Sequence, residues 1–250
     1  VVAGRMIDND LHLARLERSL GELGIAMPFS RQRIGEIQAE LIAKNALVEG
    51  TVYLQVSRGE ADRDFLYARD IAPKLIGFTQ AKTLTGTKAQ ADGIAVDLAE
   101  DPRWQRRDIK TAMLLAQVMA KQAAKARGFD DVWLVEDGVV TEGASATAHI
   151  VTADGRIVTR PASRATLPGC TQRALALLCA QEGLRLEERA FTPEEAQGAA
   201  EAFQTSASSF VMPVVKIGDG QVGDGKPGPV TRRLQALYLE AAGIGAEEAA

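Results

Sequence analysis

Several short stretches carry residue types that could do chemistry. Lys110 follows Ile109 and precedes Ala112-Met113-Leu114-Leu115. A lysine in apolar company at a strand-to-helix junction can be desolvated, which lowers its pKa toward the neutral amine that condenses with carbonyls. Glu142 is a carboxylate between Thr141 and Gly143, at the end of a predicted strand. Leu167-Pro168-Gly169-Cys170-Thr171 leads into a predicted helix, whose first N–H groups suit a phosphate. Thr205-Ser206-Ala207-Ser208-Ser209 sets hydroxyls between Phe203 and Phe210-Val211, material for an anion site. Arg58 ends a predicted strand before Gly59 and could reach an anion. Taken singly, each has a plainer reading: a solvated lysine or arginine, a turn carboxylate, an ordinary helix start, a polar loop.

The residues in short supply narrow the chemistry. His12 and His149 are the only histidines and Cys170 and Cys179 the only cysteines, so a histidine triad, a zinc pattern or a disulfide framework has little material and no metal is expected. Lys, Arg, Asp, Glu or a cofactor must carry any catalysis. The 29 basic and 33 acidic residues are interspersed, for a net charge of −4, which gives no electrostatic case for nucleic acid. No apolar run approaches the ~18 residues of a membrane helix, and no basic-then-apolar leader opens the chain. The expected setting is cytoplasmic. No G-x-G-x-x-G follows a strand and no G-x-x-x-x-G-K-[ST] occurs, so nucleotide folds lose their main support.

The elements that must position these residues read as an α/β (α+β) chain of 250 residues in two domains. Leu11, Leu13, Leu16, Leu20 and Leu23 recur with helical spacing up to Gly24. Ser30 caps a second helix in which Ile34, Ile37, Leu41 and Ile42 share a face. Strands are expected over 51–57 and 73–78. Residues 79–92 lack periodicity and are the expected linker between a small domain, 1–78, and a large one, 93–250. In the large domain a strand over 93–98 precedes a helix over 112–127. Short strands follow over 132–135, 139–141, 148–152 and 156–160, with Asp137-Gly138 and Asp154-Gly155 as hairpin signals. A helix over 171–182, a strand over 184–190, a capping box at Thr192-Pro193-Glu194-Glu195, a hairpin at 210–222 and a helix over 230–242 complete the pattern. Consecutive hairpins mixed with helices favour a barrel-like or mixed sheet over a βαβ series. Val1-Val2-Ala3-Gly4-Arg5-Met6 reads as strand, turn, strand; the first strands of the small domain are expected to be missing.

Together the stretches form a resemblance. Arg103-Trp104-Gln105-Arg106-Arg107-Asp108-Ile109-Lys110-Thr111, then Leu114-Leu115 and Ala120-Lys121-Gln122-Ala123, resemble the lysine region of class IV (fold type IV) pyridoxal-phosphate aminotransferases. The likeness is greatest to the D-amino-acid (D-alanine) enzymes. Val140-Thr141-Glu142-Gly143, Leu167-Pro168-Gly169-Cys170-Thr171-Gln172-Arg173, Thr205-Ser206-Ala207-Ser208, Val52 to Gly59 and Asp224 to Gly228 match further blocks of that family, in order.

The resemblance implies pyridoxal 5′-phosphate, with Lys110 as Schiff-base lysine and proton shuttle and Glu142 facing the pyridine nitrogen. It implies Arg58, Cys170, Thr171, Ser206 and Ala207 around the phosphate, with Leu167 against the ring. It implies transamination between a D-amino acid and a 2-oxo acid such as 2-oxoglutarate, by a homodimer in which Arg63 of one chain reaches the other's pocket and binds the substrate carboxylate. Where the D-selective enzymes carry Arg-x-His in that loop, this chain has Arg63-Asp64-Phe65, losing a hydrogen-bond donor. Ala144-Ser145-Ala146-Thr147 stands where the family tends to a Ser-rich run ending in Asn. The same scaffold also serves branched-chain L-amino-acid and amine transaminases and aminodeoxychorismate lyases, and a member without activity would be a ligand-binding protein.

Overall fold

Helices α1 (Asn9–Glu22) and α2 (Arg31–Lys44) form where the apolar spacing predicts them. Ser30 caps α2 by accepting the Arg33 N–H at 3.2 Å. Asn9 and Gln38 exchange two amide hydrogen bonds of 3.0 Å, tying the start of α1 to α2. Strands β1 (Gly50–Ser57) and β2 (Lys74–Ala81) pair antiparallel, Gly50 opposite Ala81 and Ser57 opposite Lys74. One face of this ribbon carries Leu54 and Gly77, and a Cβ at Gly77 would sit 3.2 Å from both Leu41 and Leu54, so α2 packs there. The other face exposes Tyr53, Ile76 and Phe78. At the chain's start Val2 and Arg5 bridge around Ala3 and Gly4, both at positive φ, the expected tight turn.

In this computed structural model, which describes residues 1–68 and 70–244, the chain divides into two units, Val1–Thr83 and Leu84–Ala250. The expected linker 79–92 is partly regular structure. Thr79, Gln80 and Ala81 complete β2, because Val52, Thr51 and Gly50 are there to pair with them. Helix α3 (Lys88–Asp92) forms because Thr87 and Gln90 make a reciprocal capping box.

The second unit is built on one sheet. Its strands are β3 (Ile94–Glu100), β4 (Asp131–Glu136), β5 (Val139–Gly143), β6 (Thr147–Val151), β7 (Ile157–Thr159), β8 (Leu186–Glu188), β9 (Glu201–Ser206), β10 (Phe210–Ile217) and β11 (Gly220–Gln221). The order is β5-β4-β3-β10-β9-β6-β7-β8, with β11 beside β10. β3 runs parallel to β4 and β10, and the hairpins are antiparallel, as the mixed pattern predicts. β5 lies at the sheet edge, yet residues 144–146 suffice to join it to β6 on the far side of β9. Only strong curling brings those strands that close, and the sheet is the expected barrel-like one, a curled half-barrel.

Both faces of the sheet are buried. Trp133, Val96, Val140, Ile150, Phe191, Met212 and Val214 fill one side. Val132, Leu134, Ala124 and Phe129 form a second cluster under α4 (Leu115–Ala126). The unbroken run Val132-Trp133-Leu134-Val135 is what a strand covered on both faces requires. Helices α5 (Cys170–Gln181), α6 (Pro193–Gln197) and α7 (Pro229–Ala241) complete the unit. Thr192 caps α6, accepting the Glu195 N–H at 3.1 Å. Asp137 and Gly138 both have positive φ, the turn that matches strand twist. Asp154 does not; there Gly155 alone is left-handed and the loop is one residue longer. No helix of the described residues is long and apolar enough to cross a membrane.

Candidate active site

Glu142 lies near the end of β5, where the alternation that points Val140 into the core also turns Glu142 inward. Its Oε1 accepts two hydrogen bonds, from Arg103 Nη1 at 2.6 Å and from the Leu167 backbone N–H at 3.1 Å. Among the described residues nothing donates to Oε2. Arg103 in turn donates Nη2 to Asp101 Oδ2 at 2.6 Å and Nε to Asp101 Oδ1 at 2.9 Å. Thr141 adds its hydroxyl to Asp101 Oδ2 at 2.8 Å. The side chains of Asp101, Arg103 and Glu142 are only 0, 6 and 4% exposed, so the three charges interact with little screening.

Charge alternates further along the array. Arg107 lies 3.6 Å from Asp101 Oδ2 and clamps Glu136 through two bonds of 2.7 and 2.6 Å. Burial pushes the Glu142 carboxyl above its ordinary value, against the pull of Arg103 and the Leu167 N–H. Burial acts the same way on Asp101, but there Arg103 and Thr141 overcome it and the carboxyl falls below its usual range.

The same array anchors the segment that carries Lys110. Between β3 and α4 residues 101–114 are irregular. Arg107 N–H donates to Arg164 O at 3.0 Å and its Nη2 to Arg103 O at 3.3 Å, stitching this segment to the one before Leu167. Ile109 is buried, whereas Lys110 itself is exposed. The expected burial of Lys110 at a helix start is thus not observed. α4 begins at Leu115, not 112, so Met113, Leu114 and Leu115 do not close over the lysine and stay exposed themselves.

Leu167 leads through Pro168 and Gly169 into α5. A Cβ at Gly169 would lie 2.7 Å from Thr147 Oγ1, so only glycine lets the helix start approach β6 this closely. Thr147 pairs with Thr205 on β9, which places Cys170 and Thr171 beside the stretch Thr205-Ser206-Ala207. Ser206 Oγ lies 2.7 Å from Ser209 Oγ. Thr171 is buried, and its Oγ1 has no hydrogen-bond partner among the described residues. A buried hydroxyl in that condition at a helix N-terminus is suited to an anion.

Glu142, Leu167, Cys170, Thr171, Ser206 and Ala207, read separately in the sequence, therefore converge within the second unit. Arg58 and Arg63 belong to the first. Arg58 donates Nη1 to Gly24 O at 3.0 Å and Nη2 to Leu23 O, and its guanidinium lies 3.6 Å from the Tyr67 ring centroid. Arg63 is exposed, 5.7 Å from the ring centroid of Phe65. Among the described residues no group of three or more His, Cys, Asp or Glu could hold a metal ion. Sequence reading gave no role to Asp101, Arg103 or Thr141. The available signal was an acid and two arginines at 101, 103 and 107, just before a lysine.

Residues 1–217 match the model of the amino-transferase class IV family. The chain belongs to the class IV aminotransferases. It is 37% identical over 232 residues to a D-alanine aminotransferase of Bacillus licheniformis, covering 93% of this chain and 81% of that one. The branched-chain amino acid aminotransferase of Escherichia coli superposes with a TM-score of 0.84 at 21% identity, covering 97% of this chain and 81% of that chain. The branched-chain aminotransferase of the archaeon Thermoproteus uzoniensis, solved with norvaline, does so with a TM-score of 0.82 at 22% identity, covering 96% and 80%. These two likenesses establish the fold.

Class IV aminotransferases depend on pyridoxal phosphate, and that is this enzyme's cofactor. The residues present fit it. The unsatisfied Thr171 hydroxyl at the start of α5 suits the phosphate, and a buried carboxylate with one open oxygen suits a protonated ring nitrogen.

Proposed function

We propose that this aminotransferase transfers the amino group of a D-amino acid, such as D-alanine, to a 2-oxo acid, such as 2-oxoglutarate. The observation that carries this reading is the 37% identity to a D-alanine aminotransferase across 93% of the chain. The branched-chain neighbours, at 21 and 22%, speak to the fold alone.

When bound, pyridoxal phosphate supplies an electron-accepting ring that stabilises the charge left on breaking the substrate Cα–H bond. Lys110 would hold the cofactor covalently, and its amine would take the substrate Cα proton as general base and return it as general acid. Glu142 would offer Oε2 as a negative charge to the ring nitrogen and so keep it protonated. Thr171 Oγ1, the first N–H groups of α5 at Cys170 and Thr171, the Ser206 hydroxyl and the Ala207 N–H would hold the phosphate, with Leu167 beside the ring. Arg58 joins the phosphate ligands on the family pattern.

Arg63 binds the substrate carboxylate from the partner chain of a homodimer, in the cytoplasm. Phe65 offers no donor beside it, so one charged group carries the grip. The exposed apolar faces at Tyr53, Ile76 and Phe78 and at Met113, Leu114, Leu115, Val118 and Met119 are surfaces of the kind that association covers.

The test pairs D-alanine, L-leucine and a chiral amine in turn with 2-oxoglutarate and follows glutamate formation by the loaded enzyme. D-alanine is expected to be consumed fastest. Turnover of L-leucine alone would overturn the reading.

A further inference from the structure

We propose that Arg103, held by Asp101, is the positioning residue that keeps Glu142 ionised and fixes its open oxygen toward the cofactor ring. The inference deepens the role given to Glu142 above and rests on that reading.

An acid buried this deeply would ordinarily take up a proton, and a neutral carboxyl could not hold a pyridine nitrogen protonated. Arg103 is the group that opposes this. Its Nη1 meets Glu142 Oε1 at 2.6 Å, a charge-assisted bond at the short end of the range. The Leu167 N–H joins it on the same oxygen at 3.1 Å. With both donors on Oε1, the carboxylate cannot rotate without losing them, and Oε2 is held as the acceptor for a further donor.

Arg103 is itself fixed at the other end. Two bonds to Asp101, at 2.6 and 2.9 Å, consume Nη2 and Nε and orient the guanidinium plane. Asp101 is in turn held by the Thr141 hydroxyl, and Thr141 is the residue before Glu142 on β5. The array therefore closes on itself: β5 supplies both the carboxylate that Arg103 pairs with and the hydroxyl that steadies Asp101 at the other end of Arg103. The other charged groups facing it are Arg107, at 3.6 Å from Asp101, and Glu136, paired with Arg107. Counting Asp101, Arg103 and Glu142 alone, the buried group carries one net negative charge, which a protonated ring nitrogen would balance.

The experiment compares wild type, Arg103→Met, Arg103→Lys and Asp101→Asn as cofactor-loaded proteins. Three readouts are taken: the pH titration of the visible absorbance band, borohydride trapping of cofactor on Lys110 by peptide mass, and kcat and KM for D-alanine. Arg103→Met is expected to retain the Lys110 adduct, shift the titration midpoint by about one unit or more, and lose at least about tenfold in kcat with KM changed less than about threefold. Arg103→Lys, which restores the charge without the fork, is expected to recover the midpoint but only part of kcat. Asp101→Asn, which keeps the shape around Arg103, is expected to shift the midpoint less than Arg103→Met. If Arg103→Met does not fold, the last two variants carry the test, and a kcat for both equal to wild type overturns the proposal. So does an Arg103→Met midpoint identical to wild type. A wild-type protein with no Lys110 adduct would instead defeat the cofactor reading itself, a separate outcome.

Discussion

The Trp133 indole N–H donates to Gln204 Oε1 at 3.0 Å, inside the sheet and out of contact with water. The other end of the same amide, Nε2, donates to Asp131 Oδ2 at 2.9 Å, and Lys121 Nζ lies 3.0 Å from the Asp131 carboxylate. This chain of bonds crosses from β4 to β9 beneath the Glu142–Gly143 end of β5, where a Cβ at Gly143 would sit 3.3 Å from Gln204 Oε1. Gln204→Leu has similar volume but leaves the buried indole N–H unpaired, while Asp131 Oδ2 keeps Lys121 Nζ at 3.0 Å. One unsatisfied buried donor costs roughly 1–3 kcal/mol, so a loss of about 2 kcal/mol is expected. The urea midpoint measures it. An unchanged midpoint would mean that water reaches that donor.

His149 makes the stability pH-dependent in a direction set by burial alone. It is fully buried, stacks on Phe203 at 4.6 Å and has one hydrogen-bond partner among the described residues, Thr205 Oγ1 at 3.1 Å from Nε2. Desolvation lowers its pKa from 6.5 to about 3. Above pH 6.5 both folded and unfolded chains carry it neutral and no effect arises. Below that, the unfolded chain binds a proton that the folded one refuses, and stability falls as pH falls toward 3. At pH 5 the loss is about 2 kcal/mol relative to pH 7. His149→Leu is expected to flatten the difference between denaturation curves at pH 7 and pH 5 by that amount. Equal pH slopes for the two proteins would refute it.

Much of this organisation is local and was therefore legible. Leu13 and Leu20 on α1, the Ser30 cap, the left-handed pair Asp137-Gly138 and the Thr192 cap are all decided within a few residues. The family blocks at Glu142, Leu167 to Thr171 and Ser206-Ala207 were legible as motifs, and the curled sheet brings them together. What escaped is non-local or depends on where helices begin. Arg103 and Glu142 are 39 residues apart, and no periodicity encodes their meeting. The apolar run after Lys110 promised a buried lysine, but Leu114 at the N-cap makes no side-chain cap, and the helix gives up the turn that would have covered it. Arg58 was read from its strand end, whereas its guanidinium finds the free carbonyls at the end of α1, which offer partial negative charge.

Thr171 supplies a prediction with opposite signs in two states. Its buried hydroxyl has no partner among the described residues, so Thr171→Val removes an unsatisfied group at nearly constant shape. The cofactor-free protein is expected to gain about 1 kcal/mol in stability. On the phosphate role proposed for Thr171, the dissociation constant for pyridoxal phosphate is expected to rise roughly tenfold. Thr171→Ser should leave both close to wild type. Thermal unfolding with and without cofactor, and a fluorescence titration, check the two signs. A variant destabilised without cofactor would show that Oγ1 is satisfied in solution.

The assignment of Arg63 across a homodimer has a test that no single-chain variant provides. On the proposed roles, Lys110→Ala would remove the covalent attachment and Arg63→Ala the carboxylate anchor, so each variant alone is expected to be inactive or nearly so. Co-refolding equal amounts yields hybrid dimers. If Arg63 acts on the neighbouring chain's substrate, each hybrid has one site with Lys110 from one chain and Arg63 from the other. Half of the dimers would then carry one intact site in two, about a quarter of wild-type activity. If Arg63 serves its own chain, no site in the hybrid is complete and the mixture shows no gain. A gain that vanishes when the proteins are mixed without unfolding ties the effect to exchange of subunits. An Arg63→Ala enzyme with unchanged KM for D-alanine would remove Arg63 from the pocket altogether, and substrate carboxylate binding would then have to be sought at another cation.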